Sequence, residues 1–294
     1  MVHNTFLKKM IVVSLGVGFF LSPIEANAYN LHTWVVNWDK SSYQEYSKRK
    51  YNSVSNFAVS FNEDLSMNIP EQFKGKNVYL SFVNDLSNSP KDQDLLAKLL
   101  HDDTTINNLI DNMINASKNY KGIEVDFEGF WKNPALTKQY MIFTYRLYHQ
   151  CLKHNLKLRI VLEPGFTKQD YIKGPEYVVM CYNLYGKHSM PGPKADYDFL
   201  DRLVMKSKIL PKVSFAIANG GCVWSVSGGA KYLTYNEIQK LKPKDVFRDK
   251  SDVLVGRIND GVVYYADNTT IKKWKRYLND KGYDVAIWRL GGND

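Results

Sequence analysis

The chain has 294 residues, with 39 Lys and Arg against 30 Asp and Glu for a formal charge of +9, and it is 44% hydrophobic and 14% aromatic with 18 Gly and 10 Pro. These proportions exclude a disordered, collagen-like or low-complexity protein, and the length suits one large domain. Cys151, Cys181 and Cys222 are too few for a disulfide framework and lack zinc-site spacing.

At the start of the chain, Lys8 and Lys9 precede an apolar run from Met10 to Leu21, and the segment closes in Ala26-Asn27-Ala28. This is the layout of a secretory signal peptide, expected to cover residues 1–28. The apolar run falls short of the roughly 20 residues needed to span a bilayer. No later run is long enough, so no stable membrane insertion is expected and the mature chain, 29–294, is expected to be secreted as a basic monomer. A basic exported protein is drawn to anionic surfaces such as cell-wall polymers. Its positive charges are scattered rather than gathered in a stripe, which argues against nucleic acid as a partner.

Eight candidate strands follow in order: Leu31 to Trp38, Val54 to Phe61, Asn77 to Val83, Gly122 to Phe127, Lys157 to Leu162, Tyr177 to Asn183, Lys212 to Ala218 and Asp284 to Leu290. Helical periodicity is clearest over Asp92 to Asn119, Pro134 to His154 and Thr269 to Lys281, and shorter helices are expected at Tyr43 to Tyr51, Lys194 to Lys206 and Tyr235 to Leu241. Strands alternating with helices, with no Pro-, Gly- or Ser-rich divider, predict an α/β fold: a closed (β/α)8 TIM barrel in a single domain after the signal peptide. The longest interruption, Gly220 to Val263, is expected to hold a loop or a small hairpin.

Within Lys121-Gly122-Ile123-Glu124-Val125-Asp126-Phe127-Glu128, apolar and acidic residues alternate with period two. A strand sends Ile123, Val125 and Phe127 to one face and Glu124, Asp126 and Glu128 to the other, with the carboxylates spaced roughly 6.6 Å apart. The pattern alone fits a half-exposed strand with a solvated acidic face better than a catalytic one. Inside a barrel, however, burial and mutual repulsion raise carboxyl pKa values and can keep one group protonated beside an ionised neighbour. Glu128, last and nearest the mouth, is the candidate acid. Met180-Cys181-Tyr182-Asn183 closes the sixth strand and aims Met180 and Tyr182 at one face, and Trp288 on the eighth strand offers a flat ring on which a sugar could stack. Each of these has a plain alternative as core packing.

Together these segments resemble glycoside hydrolase family 18, the chitinase-like barrels that include bacterial cell-wall and spore-cortex N-acetylglucosaminidases. The fourth-strand signature D-G-x-D-x-D-x-E is matched by Lys121 through Glu128, with Lys121 and Glu124 in place of the first two Asp. The sixth-strand M-x-Y-[DN] motif is matched by Met180 through Asn183. The G-I-P-x-Y-G-x-x-W segment is echoed at Ala216 to Trp224, and the ending at Val263 to Ile271 and Trp288 to Asp294 is similar to the spore-cortex branch. On the third strand, Ser81-Phe82-Val83-Asn84-Asp85 lacks the glycine pair that usually follows Ser.

The resemblance implies a retaining, substrate-assisted cleavage of β-linked N-acetylglucosamine-containing glycans. In it Glu128 is acid and base, Asp126 and Tyr182 hold the acetamido group, and Glu124, Met180, Asn183 and Trp288 shape the sugar site. It implies neither metal nor organic cofactor. Chitin, peptidoglycan and N-glycan cores all fit that chemistry, and a non-catalytic lectin-like barrel is the main alternative.

Overall fold

A computed structural model describes residues 29–86 and 89–293 of the chain; the expected signal peptide lies outside them. The elements run β1 (Leu31–Val36), α1 (Ser41–Lys48), β2 (Ser53–Phe61), β3 (Met67–Asn68), β4 (Val78–Leu86), α2 (Gln93–Leu99), α3 (Asp103–Ala116), β5 (Gly122–Asp126) and α4 (Pro134–Lys153). They continue with β6 (Lys157–Leu162), β7 (Glu176–Met180), α5 (Tyr197–Lys206), β8 (Val213–Ala218), β9 (Gly220–Ser225), β10 (Ala230–Leu233) and α6 (Tyr235–Lys240). The last are β11 (Lys244–Arg248), β12 (Leu254–Ile258), β13 (Gly261–Ala266), α7 (Asn268–Asp280) and β14 (Asp284–Trp288).

Strands β1, β2, β4, β5, β6, β7, β8 and β14 pair in parallel, and β14 pairs with β1 to close the barrel. This is the expected (β/α)8 barrel, with the β2-to-β4 and β6-to-β7 crossings made without an α-helix. Alternation assigns the faces. Val125, Val179, Cys181, Ile217 and Ile287 pack outward with helix residues such as Ile110, Phe143 and Trp274, whereas Trp34, Val161, Val178, Met180, Ala216 and Ala286 form a separate cluster inside the barrel. Each large side chain buried in the outer layer contributes roughly 1.5–3 kcal/mol by leaving water. Cys151, Cys181 and Cys222 are all buried free thiols. No helix among the described residues is long and apolar enough to cross a membrane.

Two local expectations change. The helix read over Asp92 to Asn119 is two helices, because the Asp102 side chain accepts a hydrogen bond from the Thr105 N–H at 2.8 Å and starts α3 as a new N-cap. The interruption read as a loop or small hairpin is a five-stranded antiparallel sheet, in the order β10-β9-β13-β12-β11, carrying α6 on one face. Its strands are only four to six residues long and separated by turns, so their alternation is too brief to register as a repeat. Gly220 turns the chain from the barrel into this sheet at φ +65°, where a Cβ would lie 2.5 Å from the Leu233 carbonyl oxygen.

Candidate active site

Strand β5 builds the site. Its parallel neighbours set Ser81 beside Glu124 and Val83 beside Asp126 on one side, and Arg159 beside Glu124 on the other. Gly122 opens the strand because a Cβ there would meet the Lys157 carbonyl oxygen at 2.3 Å and the Tyr79 ring at 2.8 Å. From that point Glu124, Asp126 and Glu128 climb the inner face toward the C-terminal mouth, Glu124 fully buried, Asp126 buried and Glu128 half-buried just beyond the strand.

Each carboxyl has a different environment. Glu124 Oε1 accepts hydrogen bonds from the Trp34 indole N–H at 2.6 Å and the Ser81 hydroxyl at 2.9 Å. Burial alone would neutralise Glu124, but His32 and the Arg159 cation pull its pKa down to about 2. For Asp126 the balance is reversed: burial and the flanking Glu128 and Glu124 push it well above the ordinary aspartate range against the weaker pull of Lys91. Its Oδ1 is buried without a hydrogen-bond partner among the described residues. Glu128 is raised to about 7 by burial, with Glu163 and Asp85 adding to the rise and the Lys91 ammonium opposing it. A carboxyl poised near neutrality above a second one that holds its proton can deliver and recover a proton at neutral pH.

The Glu128 backbone is clamped by Asn84, whose Oδ1 accepts from the Glu128 N–H at 2.8 Å and whose Nδ2 donates to the Glu128 carbonyl at 3.0 Å. Lys91 Nζ lies 2.5 Å from Glu128 Oε2, and the next residue, Gly129, donates its N–H to Glu163 Oε2 at 2.6 Å. Asn84 therefore occupies the stretch that follows Ser81 without a glycine pair, and there it holds the carboxyl in place.

The structure brings Met180, Tyr182 and Trp288 to the same interior cluster as Trp34. Burial, together with the charges of Asp126 and Glu128, raises the Tyr182 phenol well above its ordinary range, so it stays a neutral hydrogen-bond donor. Trp288 meets Trp34 edge-on at 5.7 Å and Phe57 at 4.8 Å, and Phe57 in turn meets the exposed Trp38 at 5.9 Å. A cavity of about 120 Å³ adjoins Trp288 and is lined by Lys194, Asn219, Thr234, Glu237 and Arg289. Asn183 is half-buried next to Tyr182, and no hydrogen bond among the described residues ties it to the carboxylates.

Several of these residues escape the sequence reading. His32 and Trp34 lie on β1 with the same period-two spacing as the carboxylates, and Arg159 is a charge set between Leu158 and Ile160 within β6; both are visible signals. Lys91, Glu163 and Asn84 come from loops and strand ends, where spacing carries no information about what they face.

No family model and no curated protein matches the sequence. Solved structures do match its fold. A chitinase from Chromobacterium violaceum superposes with a TM-score of 0.75 at 15% identity, covering 91% of this chain and 96% of that one. The spore cortex-lytic enzyme SleL of Bacillus cereus gives 0.73 at 16% identity, over 90% of this chain and 71% of that one. A chitinase of glycoside hydrolase family 18 from Cycas revoluta, solved with (GlcNAc)3, gives 0.72 at 12% identity over 88% and 94%. The chain thus has the fold of the chitinase-like (β/α)8 barrels.

Proposed function

We propose that this protein is a secreted glycoside hydrolase that cleaves β-linked N-acetylglucosamine-containing glycans by a retaining, substrate-assisted route. The observation that carries the reading is the carboxylate ladder: an ionised Glu124, a proton-holding Asp126 and a Glu128 near neutrality, ending at the barrel mouth beside Tyr182. Glu128 gives its proton to the glycosidic oxygen as the bond to the anomeric carbon breaks. The carbonyl oxygen of the substrate's own 2-acetamido group attacks that carbon and forms an oxazolinium ion. Asp126, whose Oδ1 has no partner among the described residues, receives the acetamide N–H, and Tyr182 donates to the acetamide oxygen. Glu128 then takes a proton from water as the water oxygen bonds to the anomeric carbon and the acetamide is restored. Two inversions give net retention, and an intramolecular nucleophile supplies a large entropic advantage.

Bacterial cell-wall glycan fits this site better than neutral chitin. The expected mature chain keeps 37 Lys and Arg against 29 Asp and Glu, and the cavity beside Trp288 is bordered by Lys194 and by an Arg289 paired with Asp39, with Glu237 as its acidic member. The signal-like residues 1–28 support export to such a substrate. One observation favours binding without turnover, a lectin-like role: the Lys91 ion pair engages the carboxyl that must donate a proton.

Release of reducing ends from chitin oligosaccharides and from purified peptidoglycan by the mature chain, with Glu128→Gln beside it, tests the reading. Turnover lost in the variant with sugar binding retained is the expected result. Binding without turnover by the unaltered chain would overturn it in favour of the lectin.

A further inference from the structure

The inner face of the barrel is charged below the candidate site as well as at it. On three adjacent strands the register sets Glu124, Arg159 and Glu176 side by side. Arg159 is 2% exposed, and a guanidinium in that position must be matched by anions and acceptors. Its Nε and one terminal nitrogen donate to Glu176 Oε2 at 3.2 and 2.8 Å, and that terminal nitrogen also donates to the Ser53 hydroxyl at 3.2 Å. The other terminal nitrogen lies 2.7 Å from His32 Nδ1 and 3.7 Å from Glu124 Oε2, and the Tyr79 ring stacks 4.2 Å from the guanidinium carbon. The fork is thus held from strands β1, β2, β4 and β7 at once.

The carboxylate above it depends on that cation. Both hydrogen bonds to Glu124 go to Oε1, and Oε2 is buried with no hydrogen-bond partner among the described residues. His32 Nε2 at 3.5 Å and Arg159 at 3.7 Å face it, and the Ser55 hydroxyl also helps to lower the carboxyl's pKa. His32 contributes the larger pull on Glu124 as a hydrogen-bond partner and, once protonated in acid, as a charge, but burial and Arg159 hold its pKa to about 4, so at working pH Arg159 is the cation of the two. Arg159 therefore serves two carboxylates. Glu176, the second, borders a cavity of about 150 Å³ at the N-terminal end of the barrel, rimmed by Lys121, Lys157 and Lys212, with Asp284 opposite. Lys212 adds to the pull of Arg159 and His32 that holds Glu176 below the ordinary glutamate range.

We propose that Arg159 is a positioning residue that keeps Glu124 ionised from the closed end of the barrel, so that the protons of the carboxylate ladder reside on Asp126 and Glu128. The inference deepens the hydrolase reading and rests on it for its effect on activity. Its first readout does not need activity. The Trp34 indole N–H donates to Glu124, so its ¹⁵N-¹H resonance reports the ionisation of that carboxyl.

Between pH 8 and pH 4 the unaltered chain should show only the small steps of the neighbouring Glu128, at about 7, and His32, at about 4, and not the large shift that protonation of the indole's own acceptor produces. In Arg159→Met, with the cation gone and the carboxyl still buried, that large shift should appear at pH 6 or above. Kinetically, Arg159→Met should raise the acid limb of the kcat profile by about 2 pH units or more, because once Glu124 is protonated the ladder has no negative charge left to stabilise the oxazolinium ion. Arg159→Lys should keep the acid limb near its original place. That large Trp34 shift seen between pH 4 and 7 in the unaltered chain, or its absence down to pH 4 in Arg159→Met, overturns the proposal. The first of these arms needs no variant and stands even where Arg159→Met does not fold. A chain with no turnover but with the expected Trp34 titrations would sink the hydrolase reading and leave the Arg159 assignment intact.

Discussion

Lys91 Nζ lies 2.5 Å from Glu128 Oε2, so the carboxyl nearest the barrel mouth carries its own countercharge. Burial pushes Glu128 up and Lys91 pulls it down, and the balance is about 7. Removing the ammonium in Lys91→Met leaves burial and the neighbouring Glu163 and Asp85 unopposed. Under the proposed mechanism Glu128 must be protonated to act, so activity falls as pH rises through its pKa. The alkaline limb of kcat/KM should therefore move upward by about one pH unit in Lys91→Met. A pH profile on a chitin oligosaccharide checks this; an unmoved limb would mean that Lys91 exerts no charge on Glu128.

The same raised carboxyl carries a stability cost of definite sign. Below pH 4.5, the ordinary glutamate value, Glu128 is protonated whether the chain is folded or not. Between there and about 7 the unfolded chain releases a proton that the folded chain keeps, so folding stability declines across that window and the cost is constant above it. Glu128→Gln removes the titration. The variant should match the unaltered chain at pH 4 and exceed it by roughly 1–3 kcal/mol at pH 8, read from urea unfolding at the two pH values. Equal stabilities at both would show that Glu128 is not raised by its surroundings.

The barrel and the carboxylate ladder are legible in the sequence because both rest on period two. Alternation between apolar and acidic residues over Ile123 to Glu128 fixes which side chains share a face, and parallel pairing on both sides of β5 makes that face the barrel interior. Trp288, last inward position of β14, and Tyr182, which carries the alternation two residues past β7, are legible for the same reason. What alternation cannot give is the partner across the barrel. Trp34 and Glu124 are 90 positions apart and meet only when the sheet closes, and Lys91 reaches Glu128 from outside the strands and helices, where no period applies. The β9-to-β13 sheet is illegible for a different reason: its strands are stabilised by one another and by Ile238, Val263 and Tyr265, a core too small to leave a long pattern.

Tyr182 stays protonated across the working range and belongs to the cluster formed by Met180, Trp34 and Trp288. Tyr182→Phe keeps the ring and its packing and deletes only the hydroxyl. If that hydroxyl orients and polarises the acetamide, the loss falls on the step in which the acetamide attacks. kcat should drop roughly 100-fold with KM within about 3-fold of the unaltered value, as for loss of one donor to a developing charge. A change in KM alone would assign the hydroxyl to binding only.

Trp38 ends an aromatic row that begins inside the barrel at Trp34 and passes through Trp288 and Phe57. It is 60% exposed, far above what packing against Phe57 requires, and the Arg289 guanidinium lies 5.8 Å from its ring. An exposed indole face at the rim of a sugar site is suited to stack on a ring beyond the one being cleaved. Trp38→Ala should accordingly raise KM for tri- and tetrasaccharides about 10-fold while leaving kcat/KM for a small aryl N-acetylglucosaminide within about 2-fold, since such a substrate reaches only the inner subsite. Thermal stability should change little because the side chain is mostly in water. Equal losses on long and short substrates would show that Trp38 supports the inner site through Phe57 and Trp288 and does not itself bind sugar.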